Sequence, residues 1–185
     1  VGGGSGGGFV VAPATGEEHP FIYVPGSYQG WNPALVENTI ASPADDGIYE
    51  GYAYFEADTQ FKITEGPSWD VNYGDDDADG TLDNNGDNIV VTEEGFYRIQ
   101  VDLNTLTYSL ERTEWGIIGS ATAGGWDNDT NMTYNAEEGA WEVEVALTAG
   151  EVKFRANDDW AIDLGDDDAD ALLEADGANI QIENN

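Results

Sequence analysis

The sequence predicts an all-β protein built of two tandem immunoglobulin-like antiparallel β-sandwich modules. Three observations predict it. Apolar residues alternate in short runs and hold no 3.6-residue period, and clusters of Gly, Asn, Asp and Pro separate those runs. The chain also repeats itself once from near Pro20 onward.

Residues 1–8 (VGGGSGGG) have the composition of a flexible linker and residues 9–19 continue as a Pro- and Gly-containing approach, so 1–19 is assigned as linker. In the first module, residues 20–112, Ile48–Phe55 (IYEGYAYF) alternates, and residues 96–103 alternate again before 108–110. Residues 60–64 place Phe61 and Ile63 on one face, which leaves Lys62 and Thr64 facing out. In the second module, residues 113–185, the stretch 141–147 (WEVEVAL) alternates, and Val152 and Phe154 point inward with Lys153 and Arg155 outward. Short alternating strands at this spacing indicate sandwiches.

The repeat sets QFKITEGPSWDVNYGDDDAD (60–79) against EVKFRANDDWAIDLGDDDAD (151–170) at a constant offset of 91. Upstream, YVPGSYQGW (23–31) matches GIIGSATAGGW (116–126) with two extra residues; downstream, GDNIVV (86–91) matches GANIQI (177–182). After Val91 the first copy carries a further strand pair, whereas the second has three residues after Ile182. The second sandwich is therefore expected to be incomplete at its C-terminal side, with its last strands supplied by a continuing chain or by another chain through β-augmentation.

Composition narrows the function. Against 38 Asp and Glu stand 5 Lys and Arg, a formal charge of −33 over 185 residues, which repels nucleic-acid phosphates and anionic lipid headgroups. With 40% hydrophobic residues and aromatics throughout, the chain is not a disordered acidic tail. It has no Cys, which excludes disulfides, thiolate metal sites and a Cys nucleophile. No apolar run is long enough to span a bilayer, so membrane attachment would need a lipid anchor outside this chain. The single His19 lies in the linker, leaving no base for a Ser-type mechanism, and a module of about 90 residues is small for a paired-carboxylate cleft. No enzyme activity and no cofactor are expected.

The acidic loop 75–83 imitates the start of a calcium loop, but its twelfth position is Gly86 and the second copy has Ala171 at the sharp turn. It is read as a solvated acidic turn, and no metal site is expected. A sugar site fits better. Each repeated Lys is followed seven residues later by a Trp in a polar turn, Trp69 and Trp160, and Trp31 and Trp126 follow a Gly in the other repeated turn. A pyranose packs its CH face on an indole and exchanges hydrogen bonds with Lys, Arg and Asn.

These motifs, YVPGSYQGWNP, FKITEGPSWDVNYGDDDADG, WGIIGSATAGGWDNDTNMTY and VKFRANDDW, resemble the SusE/SusF family of outer-membrane starch-binding lipoproteins over residues 21–182. The resemblance implies non-catalytic capture of α-glucan at the outer surface of a Gram-negative bacterium, beside a porin-type glycan importer. It implies sugar contacts at Trp31, Lys62 and Trp69 in the first module and at Trp126, Lys153, Arg155, Asn157 and Trp160 in the second. The first module has Thr64 and Glu65 where the second has Arg155 and Asn157, which implies the weaker site. The other function class open to the sequence is a structural or adhesive repeat of an extracellular assembly, joined by strand complementation.

Overall fold

The computed structural model describes residues 19–36, 38–135 and 138–183, so the linker assignment, apart from His19, lies outside the described residues. Two compact units are present, divided between Arg112 and Thr113. Among the described residues both are antiparallel β-structure, and no helix is long and apolar enough to cross a membrane.

The first unit contains β1 (Phe21–Tyr23), a 3-10 turn (Ser27–Gln29), β2 (Thr39–Ala41), β3 (Ile48–Phe55), β4 (Thr59–Phe61), β5 (Ile63–Thr64), β6 (Asn72–Gly74), β7 (Asp83–Asn84), β8 (Ile89–Val91), β9 (Gly95–Asp102) and β10 (Thr107–Thr113). One sheet runs β10-β9-β3-β2-β1-β5-β6-β7 and a second joins β4 to β8. Their inward residues meet in one cluster, Ile22, Phe55, Ile63, Ile99 and Val101 from the large sheet with Phe61, Ile89 and Val91 from the small one. Strict alternation on β9, buried at Tyr97, Ile99 and Val101 and half-buried between, is what a strand with one core face requires. Phe55 stacks on Phe61 with ring centroids 5.4 Å apart.

The stretch expected as one strand at 60–64 is two. β4 pairs with β8, then the backbone crosses to the other sheet at Lys62, whose N–H donates to Pro25 O at 2.9 Å, and β5 pairs with β1 and β6. Phe61 and Ile63 point inward as expected, but Thr64 is also buried.

The second unit contains β11 (Trp115–Gly119), β12 (Gly125–Asn131), β13 (Thr133–Asn135), β14 (Ala140–Glu142), β15 (Gly150–Ala156), β16 (Asp163–Gly165), β17 (Glu174–Ala175) and β18 (Ile180–Ile182). Its main sheet runs β12-β11-β15-β16-β17, and β18 pairs with the start of β15. Ile117, Ile118, Val152, Phe154, Ile162 and Leu164 are buried here together with Trp115.

The strand expected over 141–147 stops at Glu142, and 143–148 forms no strand. In the first unit β3 pairs with β9 along its whole length, from Ile48↔Asp102 to Phe55↔Gly95, and among the described residues no strand runs beside 143–148. Alternation gives a stretch two faces, but a ladder needs a partner for its N–H and C=O groups.

Candidate functional site

The two repeated Trp-bearing segments come together in each unit. In the first, Trp31 follows the 3-10 turn and its N–H donates to Gly26 O at 2.9 Å, which closes the turn and holds Trp31 at a φ of 61°, a left-handed conformation that costs an aromatic residue energy. Trp69 sits in the loop joining β5 to β6, where Asn72 Nδ2 donates to its carbonyl at 3.0 Å. The two indoles lie 6.3 Å apart, centroid to centroid, tilted by 43°.

The second unit reproduces this with different scaffolding. Trp126 is on strand β12, not in a turn as the repeat suggested, and Trp160 is in the β15–β16 loop. Their centroids are 6.1 Å apart and their planes tilted by 40°. Trp69, Trp126 and Trp160 remain 39%, 37% and 45% exposed, and Trp31 is half-buried, so neither pair is a core contact. The buried Trp of the second unit is Trp115, 5% exposed, whose Nε1–H donates to Thr113 Oγ1.

The repeat is held by the same contacts at both sites. Ser27 Oγ accepts from Gln60 N–H and Ser120 Oγ from Glu151 N–H, each at 3.0 Å. A Cβ added to Gly26 would lie 2.6 Å from Gln60 O, and one added to Gly119 would lie 2.1 Å from Glu151 O. Only glycine lets these strands approach so closely.

The lysines expected to face outward are half-buried and tied inward. Lys62 Nζ donates to Asn72 Oδ1 at 3.2 Å and to Gly86 O at 2.5 Å, and Lys153 pairs with Asp163, the counterpart of Asn72 at the 91-residue offset. Each lysine thus braces the strand that follows its Trp loop. In the first unit the brace continues through Asn72 to the Trp69 carbonyl, whereas Asp163, having no N–H₂, makes no such link. Arg155, also expected outward, is buried at 7% exposure, because it reaches Asp129 and lies under Trp160. Hydrogen bonding to the Asp129 carboxylate raises its already high pKa.

Asn157 occupies a left-handed turn position, φ 58°, where its Oδ1 accepts from Glu114 N–H at 2.9 Å and its own N–H donates to Glu114 O at 2.8 Å. It also lines a crevice of about 70 Å³ with Glu114, Trp115, Asn131, Met132 and Asp158; neither tryptophan pair lines it. At the 91-residue offset its counterpart is Gly66, with Glu65 one residue earlier. Glu65 instead accepts from the Tyr73 hydroxyl at 2.5 Å, and that bond, with burial, pushes the Tyr73 pKa up to about 12.

The acidic loops turn their carboxylates onto their own backbone. Asp75 accepts from the N–H groups of Asp77, Asp79 and Gly80 and from the Tyr108 hydroxyl at 2.8 Å. Asp166 accepts from Asp170 and Ala171, and Ala171 takes the left-handed φ of 68° where the first copy has Gly80. Asp76 and Asp167 bind the N–H groups of Asp87 and Ala178 in the same way. Among the described residues no group of three or more His, Cys, Asp or Glu is placed to hold a metal ion.

Two residues that sequence reasoning missed belong to the second site: Asp129, on β12 three residues beyond Trp126, and Gly116 on the intervening strand β11. Gly116 left a faint trace in the sequence, a glycine inside an otherwise apolar run, but its place opposite Arg155 and the reach of Asp129 are set by strand register.

No protein-family profile and no curated protein matches the chain. Among solved structures it is similar to SusF from Bacteroides thetaiotaomicron, with a TM-score of 0.49 and 19% identity over 88% of this chain. The chain spans 43% of the length of that protein.

Proposed function

We propose that the protein is a non-catalytic glycan-binding protein, each unit of which offers a tilted pair of tryptophans as a stacking platform for a neutral sugar chain. One observation carries the reading. The two copies differ in local conformation, a 3-10 turn before the Trp in one unit and a β-strand in the other, yet both deliver a second Trp to within about 6 Å of the loop Trp at nearly the same tilt. Indoles that are merely tolerated on a surface have no reason to keep that spacing, and an exposed apolar pair gains free energy when a CH face covers it.

We assign the polar contacts to the two lysines, each of which braces the strand that follows its Trp loop. Lys62 uses two of its three ammonium protons on Asn72 and Gly86, leaving one to donate to a hydroxyl, and Lys153 spends one on Asp163. Asn157, anchored to Glu114, is proposed as a further contact only through the family resemblance. Catalysis is not part of the reading: Asp129 and Asp163 are held by Arg155 and Lys153, and Asp163 is matched by Asn72 in the first unit, so the sites share no carboxylate pair.

The resemblance of the repeated motifs to starch-binding lipoproteins makes α-glucan the polymer of choice, presented at a bacterial outer surface to a glycan importer. Electrophoresis through gels containing soluble starch, pullulan or a β-linked glucan tests the proposal. Retardation by the α-glucans, abolished in the Trp69→Ala/Trp160→Ala double variant, is expected. Equal mobility in every gel would leave the structural-repeat reading in place.

A further inference from the structure

We propose that Arg155 is a positioning residue of the second platform: paired with Asp129 and stacked under Trp160, it sets the angle between the two indoles, and it does not itself bind sugar. The proposal rests on reading the Trp pair as a sugar platform, but its geometric half stands apart from any ligand.

The argument starts with strand register. On β15, Arg155 lies opposite Gly116 of β11 on one side and Asp163 of β16 on the other. Asp129 comes from β12, one strand further out. A carboxylate on β12 reaches β15 only by passing over β11, and the residue it passes is glycine. A Cβ added to Gly116 would lie 2.9 Å from Asp129 Cβ and 3.0 Å from Asp129 Oδ2. In the first unit the corresponding register sets Tyr23 opposite Thr64. Glycine for tyrosine and arginine for threonine, with Asp129 in reach, are three parts of one device that only the second unit has.

The guanidinium is committed by that device. Arg155 Nε donates to both Asp129 oxygens at 2.9 Å and Nη2 donates to Oδ1 at 2.5 Å, with side-chain exposures of 9% for Arg155 and 1% for Asp129. Its central carbon stands 4.6 Å from the Trp160 ring centroid, at cation–π distance. The ion pair therefore joins the strand that carries Trp126 to the ring of Trp160. The first unit holds its loop Trp by a different route, the Asn72 amide on the Trp69 carbonyl, which Asp163 cannot copy. A planar, always charged fork suits this double task, and an ammonium does not.

The test measures platform geometry and sugar binding separately in Asp129→Asn, Arg155→Gln, Arg155→Lys and the Asp129→Asn/Arg155→Gln double variant. Arg155→Met with Asp129→Leu is added because it leaves no unpaired buried charge and so keeps the unit foldable. Geometry is read as the exciton contribution of the Trp126–Trp160 pair to circular dichroism, defined as the part lost in Trp160→Phe; binding is read by calorimetry with maltoheptaose in a Trp69→Ala background. We expect every variant to lose most of that exciton signal while retaining both indoles. Affinity is expected to fall about threefold to tenfold in each, with the double variant no worse than either single and Lys giving no rescue.

Asp129→Asn binding within twofold of its parent, while Arg155→Gln loses affinity and Arg155→Lys restores it, would overturn the proposal and make Arg155 a direct sugar donor. An unchanged exciton signal in folded Arg155→Gln would also overturn it. Loss of that signal in the variants, where even the Trp69→Ala parent binds no maltoheptaose, would uphold the strut and count against the α-glucan reading alone.

Discussion

Removing the Trp160 ring is the sharpest perturbation of the second platform, and its size follows from the exposed area. An indole offers up to about 250 Å² to water, so at 45% exposure Trp160 presents roughly 110 Å². A pyranose face covers about half of that and buries a similar area of its own, which removes about 55 to 110 Å² from water and is worth roughly 1.4 to 2.8 kcal/mol. Trp160→Ala should then weaken maltoheptaose binding about tenfold to a hundredfold. Two sites would blur the measurement, so the variant belongs in a Trp69→Ala background, with calorimetry for affinity and thermal melting for the fold. The melting temperature should stay within a few degrees, since an exposed ring contributes little to the core. Binding within twofold of the parent with an unchanged melt would refute the stacking argument. Collapse of the fold would show that the ring is structural despite its exposure.

Three further outcomes follow from the scaffold. Gly119→Ala forces a Cβ to 2.1 Å from the Glu151 carbonyl at a φ of 146°, and should cost about 2 to 4 kcal/mol in denaturant unfolding, while Gly66→Ala, with nothing within 4 Å, should stay within about 0.5 kcal/mol. Burial disfavours the Asp75 charge, but the Gly80 N–H and Tyr108 hydroxyl, with further backbone N–H groups, outweigh it and hold the pKa below the ordinary 3.8. That stabilisation is present above the ordinary 3.8 and fades as pH falls below it toward the lowered value, so Asp75→Asn should melt a few degrees below wild type at pH 7 and the gap should narrow as the solution is acidified below 3.8. Comparing the two proteins at each pH cancels the relief of self-repulsion that acid brings to a chain of charge −33. In hydrogen exchange, amides of residues 143–147 should exchange at least about a hundredfold faster than those of β3, because among the described residues β3 has a strand beside it and 143–147 has none; equal protection would mean that 143–147 is paired after all.

Strand class, the duplication with its offset, and the repeated segments that carry the tryptophans are all legible in the order of residues. Alternation and turn chemistry are local properties, and a repeated sequence meets the same local physics twice. Glycines at 26 and 119, and at 74 and 165, were legible as repeats, though their reason, a carbonyl crossing where a Cβ would sit, is tertiary. What only the structure decided is where long side chains end. Alternation assigns a residue to a face of its strand, and it placed Lys62, Lys153 and Arg155 outward. Each has several rotatable bonds and a charge that seeks a partner, and the partners, Asn72, Asp163 and Asp129, lie on other strands at distances no spacing rule encodes. The same holds for 143–148, whose pattern is that of a strand and whose state depends on a neighbour. The pairing of Trp31 with Trp69 and of Trp126 with Trp160 is likewise tertiary, because it requires two segments far apart in the chain to meet.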